Sequence, residues 1–176
     1  MNEEIREHDE PKSPAERSPA QRITRVAMIA AIYAALTLAL APISYSALQV
    51  RVAEALTVLP FISRLSIPGL FVGCLVANLF GLFFTGLGWY DVVFGSLATL
   101  LAAYLTSRVP RPILAPLPPI VINALVVAAY VSALSNLPYW LTALYIAAGE
   151  AVAGYVLGYP LLIFLLKRPA LRRYIE

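Results

Sequence analysis

The chain has 176 residues, 60% of them hydrophobic and only 13% charged, with a mean hydropathy of +0.77. A soluble domain is nearer half apolar and a quarter charged, so the composition reads as a one-domain integral membrane protein. Residues 1–20 carry six acids and three bases, whereas residues 21–176 carry four acids and ten bases. These later bases sit beside hydrophobic runs, which points to lipid topology rather than to a nucleic-acid partner.

Residues 1–20 have acids where a signal peptide needs a positive start, and no apolar run precedes Ile23. With Pro11, Pro14 and Pro19 among charged residues, this stretch reads as a disordered cytoplasmic tail. Six apolar segments follow, punctuated by proline, glycine and short polar turns. The pattern predicts helices near 22–41, 49–63, 67–85, 90–107, 114–134 and 139–167. Pro42, Pro60, Pro68, Pro138 and Pro169 lie at or near boundaries, and Pro160 should kink the last helix. No internal repeat is evident, which argues against an inverted-repeat transporter.

The first segment carries small residues in two adjacent rows, Ala27, Ala31 and Ala35, and Ala30 and Ala34. Such a face lets another helix approach closely, either within the bundle or from a partner subunit. The second segment is doubtful, because about 14 helical residues reach only ~21 Å against a hydrocarbon core of ~30 Å. Charge parity resolves it. Arg22 and Arg25 flank the first helix, and Lys167, Arg168, Arg172 and Arg173 follow the last. The positive-inside rule then puts both termini in the cytoplasm, which needs an even number of crossings. Arg64, Arg108 and Arg111 fall in inner loops, and the outer loops near 42–48, 86–89 and 135–138 carry no Lys or Arg. The expected architecture is an all-α bundle of six transmembrane helices over residues 21–168, with a short cytoplasmic tail at 169–176.

Arg51 is the one base that this topology leaves over. It begins the second helix with Glu54 one turn deeper, Asp91 starts the fourth, and Asn78, Asn123 and Glu150 lie inside the third, fifth and sixth. An uncompensated polar group in lipid costs several kcal/mol, so these residues should face one another, water or a ligand. Each also has a plainer reading: an Arg51–Glu54 ion pair, Asp91 as an N-cap, and Asn78 and Asn123 as bridges between helices. Glu150, between Gly149 and Ala151 with no base in its own helix, resists one. Trp89, Tyr90, Tyr139 and Trp140 fit an interfacial aromatic belt, with stacking over a flat ligand as the sharper alternative.

The only histidine is His8 and the only cysteine Cys74, so neither a serine–histidine triad nor a soft metal site can be assembled. No phosphate-binding G-x-x-x-x-G-K-[ST] loop is present, so this chain does not itself hydrolyse ATP. No enzyme activity, metal or cofactor is expected.

The blocks Gln49 to Pro60 (QVRVAEALTVLP), Ile67 to Cys74 (IPGLFVGC), Asp91 to Leu100 (DVVFGSLATL), Leu114 to Pro119 (LAPLPP) with Asn123-Ala124, and Gly149-Glu150 resemble the QueT family. The likeness covers most of residues 22–166. It implies a substrate-binding S component of an energy-coupling factor (ECF) transporter, opening outward and taking a queuosine precursor. It also implies a transmembrane coupling protein and two ATPase subunits as partners, with Ala27, Ala31 and Ala35 meeting the coupling protein. A 7-deazaguanine presents an N–H edge that Glu150 can accept, Asn78 or Asn123 can donate to its carbonyl, and Glu54 or Asp91 can face a cationic aminomethyl group. The embedded set of Arg51, Glu54, Asn78, Asp91, Asn123 and Glu150, with Trp89 and Tyr90 at its mouth, is thus the expected substrate site. An S component for another vitamin is the nearest rival, and an ion-coupled carrier using Asp91 or Glu150 as a proton site is the rival from another class.

Overall fold

The computed structural model describes residues 18–44, 51–83 and 85–175. Most of the expected N-terminal tail lies outside the described residues, as do Gln49 and Val50 and the greater part of the outer loop expected at 42–48. Among the described residues the fold is all helical. Helix α1 (Pro19–Ala39) is followed by α2 (Val52–Phe61), α3 (Ser66–Gly81), α4 (Asp91–Thr106), α5 (Leu117–Ser135), α6 (Tyr139–Leu166) and a short α7 (Pro169–Ile175). A one-turn helix (Ala41–Ser44) extends α1, and a 3₁₀ turn (Pro112–Leu114) leads into α5.

Several helix ends follow from local chemistry. Ser18 and Gln21 form a reciprocal capping box at the start of α1, with Pro19 in the first turn, so orphan N–H groups are satisfied before the apolar run begins. Helix α5 stops at Asn136, whose φ of 54° is left-handed, a conformation asparagine tolerates, and Pro138 follows shortly after. The predicted spans match α1 and α3 to α6 within a few residues at each end.

Helix α2 departs from expectation in kind. All ten residues wind as a 3₁₀ helix, an unusually long run of that geometry. At about 2.0 Å per residue it reaches ~20 Å, where an α-helix of the same length would reach ~15 Å. The tighter winding also eclipses residues three apart, which stacks Glu54, Thr57 and Pro60 on one buried face. Two stretches are π-helical, Asp91–Gly95 at the start of α4 and Val152–Gly158 within α6. The second lies just ahead of Pro160. A widened turn there accommodates a ring that lacks an N–H and would crowd the carbonyl four residues back, so the strain expected as a kink is taken up as a π turn.

The packing is inside-out relative to a soluble protein. The interior is rich in small side chains such as Ala53, Ala77, Ala102, Ala103, Ala128 and Ala153, while Phe83, Leu144, Val156 and Trp140 point outward. Lipid is as apolar as leucine, so helices gain more from close approach of small residues than from hiding large ones. A close approach joins α1 and α3: a Cβ on Gly73 would lie 2.8 Å from the Ala30 carbonyl oxygen, and one on Gly69 would lie 2.9 Å from Ile29 Cβ. Gly69-x-x-x-Gly73 is a close-packing signature that the sequence contains. It settles one half of the small-residue face of α1: Ala30 and Ala34 are buried within the bundle, whereas Ala27, Ala31 and Ala35 are exposed.

Candidate functional site

Arg51 sits immediately before α2 in an extended conformation, with φ −83° and ψ 102°. Its side chain meets Asp91, with 2.9 Å between Arg51 Nη2 and Asp91 Oδ2. Arg51 thus forms an ion pair with Asp91 on α4. Asp91 is not an N-cap, because the helical turn begins before it and its carboxylate is drawn into the bundle. The Tyr130 hydroxyl donates to Asp91 Oδ1 at 2.6 Å, and Asn78 Nδ2 donates to the Asp91 main-chain carbonyl at 2.8 Å. Arg51, Asn78, Asp91 and Tyr130 thus tie the α2 start to α3, α4 and α5. The π turn at 91–95 contributes to this geometry, since it carries Asp91 and presents Gly95 against the same cluster.

Glu54 is 1% exposed. The Tyr33 hydroxyl of α1 donates to its Oε1, while Oε2 is buried with no hydrogen-bond partner. On α5 and α6, Asn123 Nδ2 donates to Glu150 Oε1 at 2.7 Å. That contact fixes the amide orientation, because a carboxylate can only accept. Asn123 Oδ1 is then left buried without a donor, and Asn78 Oδ1, oriented by the bond from its own nitrogen, is in the same state. Three buried acceptors that lack donors are rare in native interiors and need a reason.

A small cavity lies between these groups, lined by Arg51, Gly95, Thr99, Asn123, Val127 and Glu150. It holds about 10 Å³, the space of roughly one water, so a bicyclic ligand fits only after its walls part. The structure therefore gathers the six embedded residues Arg51, Glu54, Asn78, Asp91, Asn123 and Glu150 into the bundle interior. Three of the cavity's lining positions, Gly95, Thr99 and Val127, were not singled out by the sequence, and neither was Tyr130, which bonds Asp91. The Thr99 hydroxyl lies 3.2 Å from the Gly95 carbonyl oxygen and 3.3 Å from Cys74 Sγ. A tyrosine inside an apolar run must find a partner for its hydroxyl, and on that ground Tyr33 and Tyr130 were legible. Trp89 and Tyr90 are not brought to the cavity: they are 66% and 52% exposed, and Tyr90 stacks on Phe94 instead. Trp140 is likewise outward, edge-on to Tyr139.

An interior built to hold several acids and amides around a small cavity, inside an apolar exterior, suits a membrane protein that binds a polar small molecule. The family model described as QueT transporter matches residues 23–167. The chain belongs to the QueT transporter family. A QueT relative, the queuosine precursor transporter QueT of Lactococcus lactis subsp. cremoris (strain MG1363), is 35% identical over 86 residues. That match covers 48% of this chain and 48% of the relative, so it spans about half of each. No solved structure matches. The family is one of transporters, and the long apolar helices of this chain suit a membrane setting.

Proposed function

We propose that this protein is the substrate-binding S component of an ECF transporter and that its ligand is a 7-deazaguanine queuosine precursor taken from the outer side. In this reading residues 21–168 form a six-helix membrane domain between a cytoplasmic tail at 1–20 and another at 169–176. A transmembrane coupling protein and two ATPase subunits supply the ATP-driven step. The basic residues at the ends support that orientation: Arg108 and Arg168 lie over the rings of Tyr104 and Phe164 at 5.0 and 5.8 Å, as cations at a membrane surface do. The exposed row Ala27, Ala31 and Ala35 supports a partner helix on α1.

The observation that carries the substrate assignment is the Asn123–Glu150 pair on the cavity wall, with the Arg51 guanidinium lining the same space. Glu150 offers a carboxylate to adjacent N–H donors of a deazaguanine. Asn78 Nδ2 is taken up by the Asp91 carbonyl, Cys74 Sγ and Ser96 Oγ, so the groups offered to the ligand carbonyl are Arg51 and the second N–H of Asn123 Nδ2, both on the cavity wall. For a cationic aminomethyl group, Asp91 already has Arg51 and Tyr130 as partners, whereas Glu54 Oε2 lacks a donor. Glu54 is therefore the acid assigned to that cation.

Isothermal titration calorimetry of the purified protein with 7-aminomethyl-7-deazaguanine and a vitamin panel tests this. Saturable binding of the deazaguanine is expected, and Glu150→Gln should weaken it at least tenfold. Unchanged affinity in the variant removes Glu150 from the role; saturation by a vitamin but by no deazapurine overturns the substrate. The carrier reading predicts transport by this chain alone in proteoliposomes under a proton gradient, without ATP or other subunits.

A further inference from the structure

A guanine-type edge has three successive groups: a carbonyl that accepts, a ring N–H that donates, and an exocyclic amine with two hydrogens. A carboxylate can satisfy the ring N–H and one amine hydrogen, which leaves the second amine hydrogen to be buried unpaired or matched. Asn123 lines the cavity, is 4% exposed, and has its amide nitrogen held on Glu150 Oε1 at 2.7 Å. Its Oδ1 is buried with no donor. The amide cannot flip without setting its oxygen against the Glu150 carboxylate.

From this geometry we propose that Asn123 is a specificity-determining residue whose Oδ1 accepts the second hydrogen of the ligand's exocyclic amine. The proposal rests on the deazaguanine reading above and extends it from the carboxylate to the neighbouring amide. Glu150 has a double part in it: it takes the ligand edge and holds the amide oxygen in the one orientation that selects for an amine. A ligand with hydrogen or oxygen at that position leaves Asn123 Oδ1 without a donor or opposes it with another acceptor, and buried sites discriminate strongly on such terms.

The experiment is a calorimetric comparison of 7-aminomethyl-7-deazaguanine, its analogue lacking the exocyclic amine, and its analogue mono-methylated on that amine, with wild type and Asn123→Leu. Wild type should bind the parent at least tenfold more tightly than either analogue. In Asn123→Leu the preference for the parent over the amine-less analogue should fall by about tenfold, because only the parent loses a bond to Oδ1. Equal weakening of both ligands in the variant overturns the proposal, since that is what a residue serving only to position Glu150 would do. If the variant does not fold, wild type decides alone: equal affinity for the parent and the methylated amine shows that the second hydrogen is not used, and overturns the proposal while the deazaguanine reading stands. A wild type that binds none of the three overturns both.

Discussion

At Gly95 a single missing side chain gives the polar cluster its shape. A Cβ there would lie 2.9 Å from Asp91 Oδ1, 3.1 Å from Asn78 Nδ2 and 3.2 Å from the Tyr130 hydroxyl. None of these can retreat freely, because Asp91 is held by Arg51 and Tyr130 at 2.9 and 2.6 Å. Overpacking of this kind costs about 1–3 kcal/mol of stability, and the part of that strain borne by the ligand-bound arrangement of Asp91 and Asn78 appears as lost affinity, tenfold for about 1.4 kcal/mol. Gly95→Ala should therefore weaken ligand binding by about tenfold in a calorimetric titration. Binding within twofold of wild type would show that the cluster is not part of the site. By contrast, a Cβ on Gly86 meets nothing within 4 Å, and Gly86→Ala should leave affinity unchanged.

At the scale of elements, the α1–α3 contact depends on backbone meeting backbone. The Cβ of an alanine at 73 would sit 2.8 Å from both the Ala30 carbonyl oxygen and Tyr33 Cβ, and a main-chain oxygen does not move aside as a side-chain tip does. Gly73→Ala should lower stability by about 1–3 kcal/mol, read as a drop in Tm on thermal unfolding in detergent. Because Tyr33 also bonds Glu54, a forced separation of α1 and α3 reaches the site as well, and ligand affinity should fall with Tm. A variant with wild-type Tm would mean that these helices can part without cost. The π segment of α6 packs in the same manner on the 3₁₀ helix, where a Cβ on Gly158 would lie 2.9 Å from the Ala55 carbonyl oxygen.

For the whole molecule, the two rows of alanine on α1 make opposite predictions. Ala31 is exposed and Ala30 is buried against α3. Under the S-component reading, Ala31→Trp should abolish co-purification with the coupling protein and ATPases while leaving ligand affinity unchanged, whereas Ala30→Trp should destabilise the isolated protein. Retained assembly in the Ala31 variant would place the partner surface elsewhere. The three long apolar helices Pro19–Ala39, Pro112–Ser135 and Tyr139–Leu166, with three shorter apolar ones between them, surround a polar interior. A reagent test of cysteines placed at each end of the chain, in intact cells, decides whether both termini lie in the cytoplasm as proposed.

Composition, proline spacing and charge position were enough to identify a helical membrane protein and to find its embedded polar residues, because lipid penalises stray charge and backbone breaks in ways that leave a one-dimensional trace. The partners of those residues left no such trace. Arg51 pairs with Asp91, 40 positions away on another helix, because an extended residue before a 3₁₀ helix directs its side chain across the bundle. The orientations of the Asn78 and Asn123 amides, the two π turns and the division of the α1 alanines into inner and outer rows likewise depend on which helices meet. Local propensity writes where helices begin and end; only the packing of one helix on another decides which acceptors are left for a ligand.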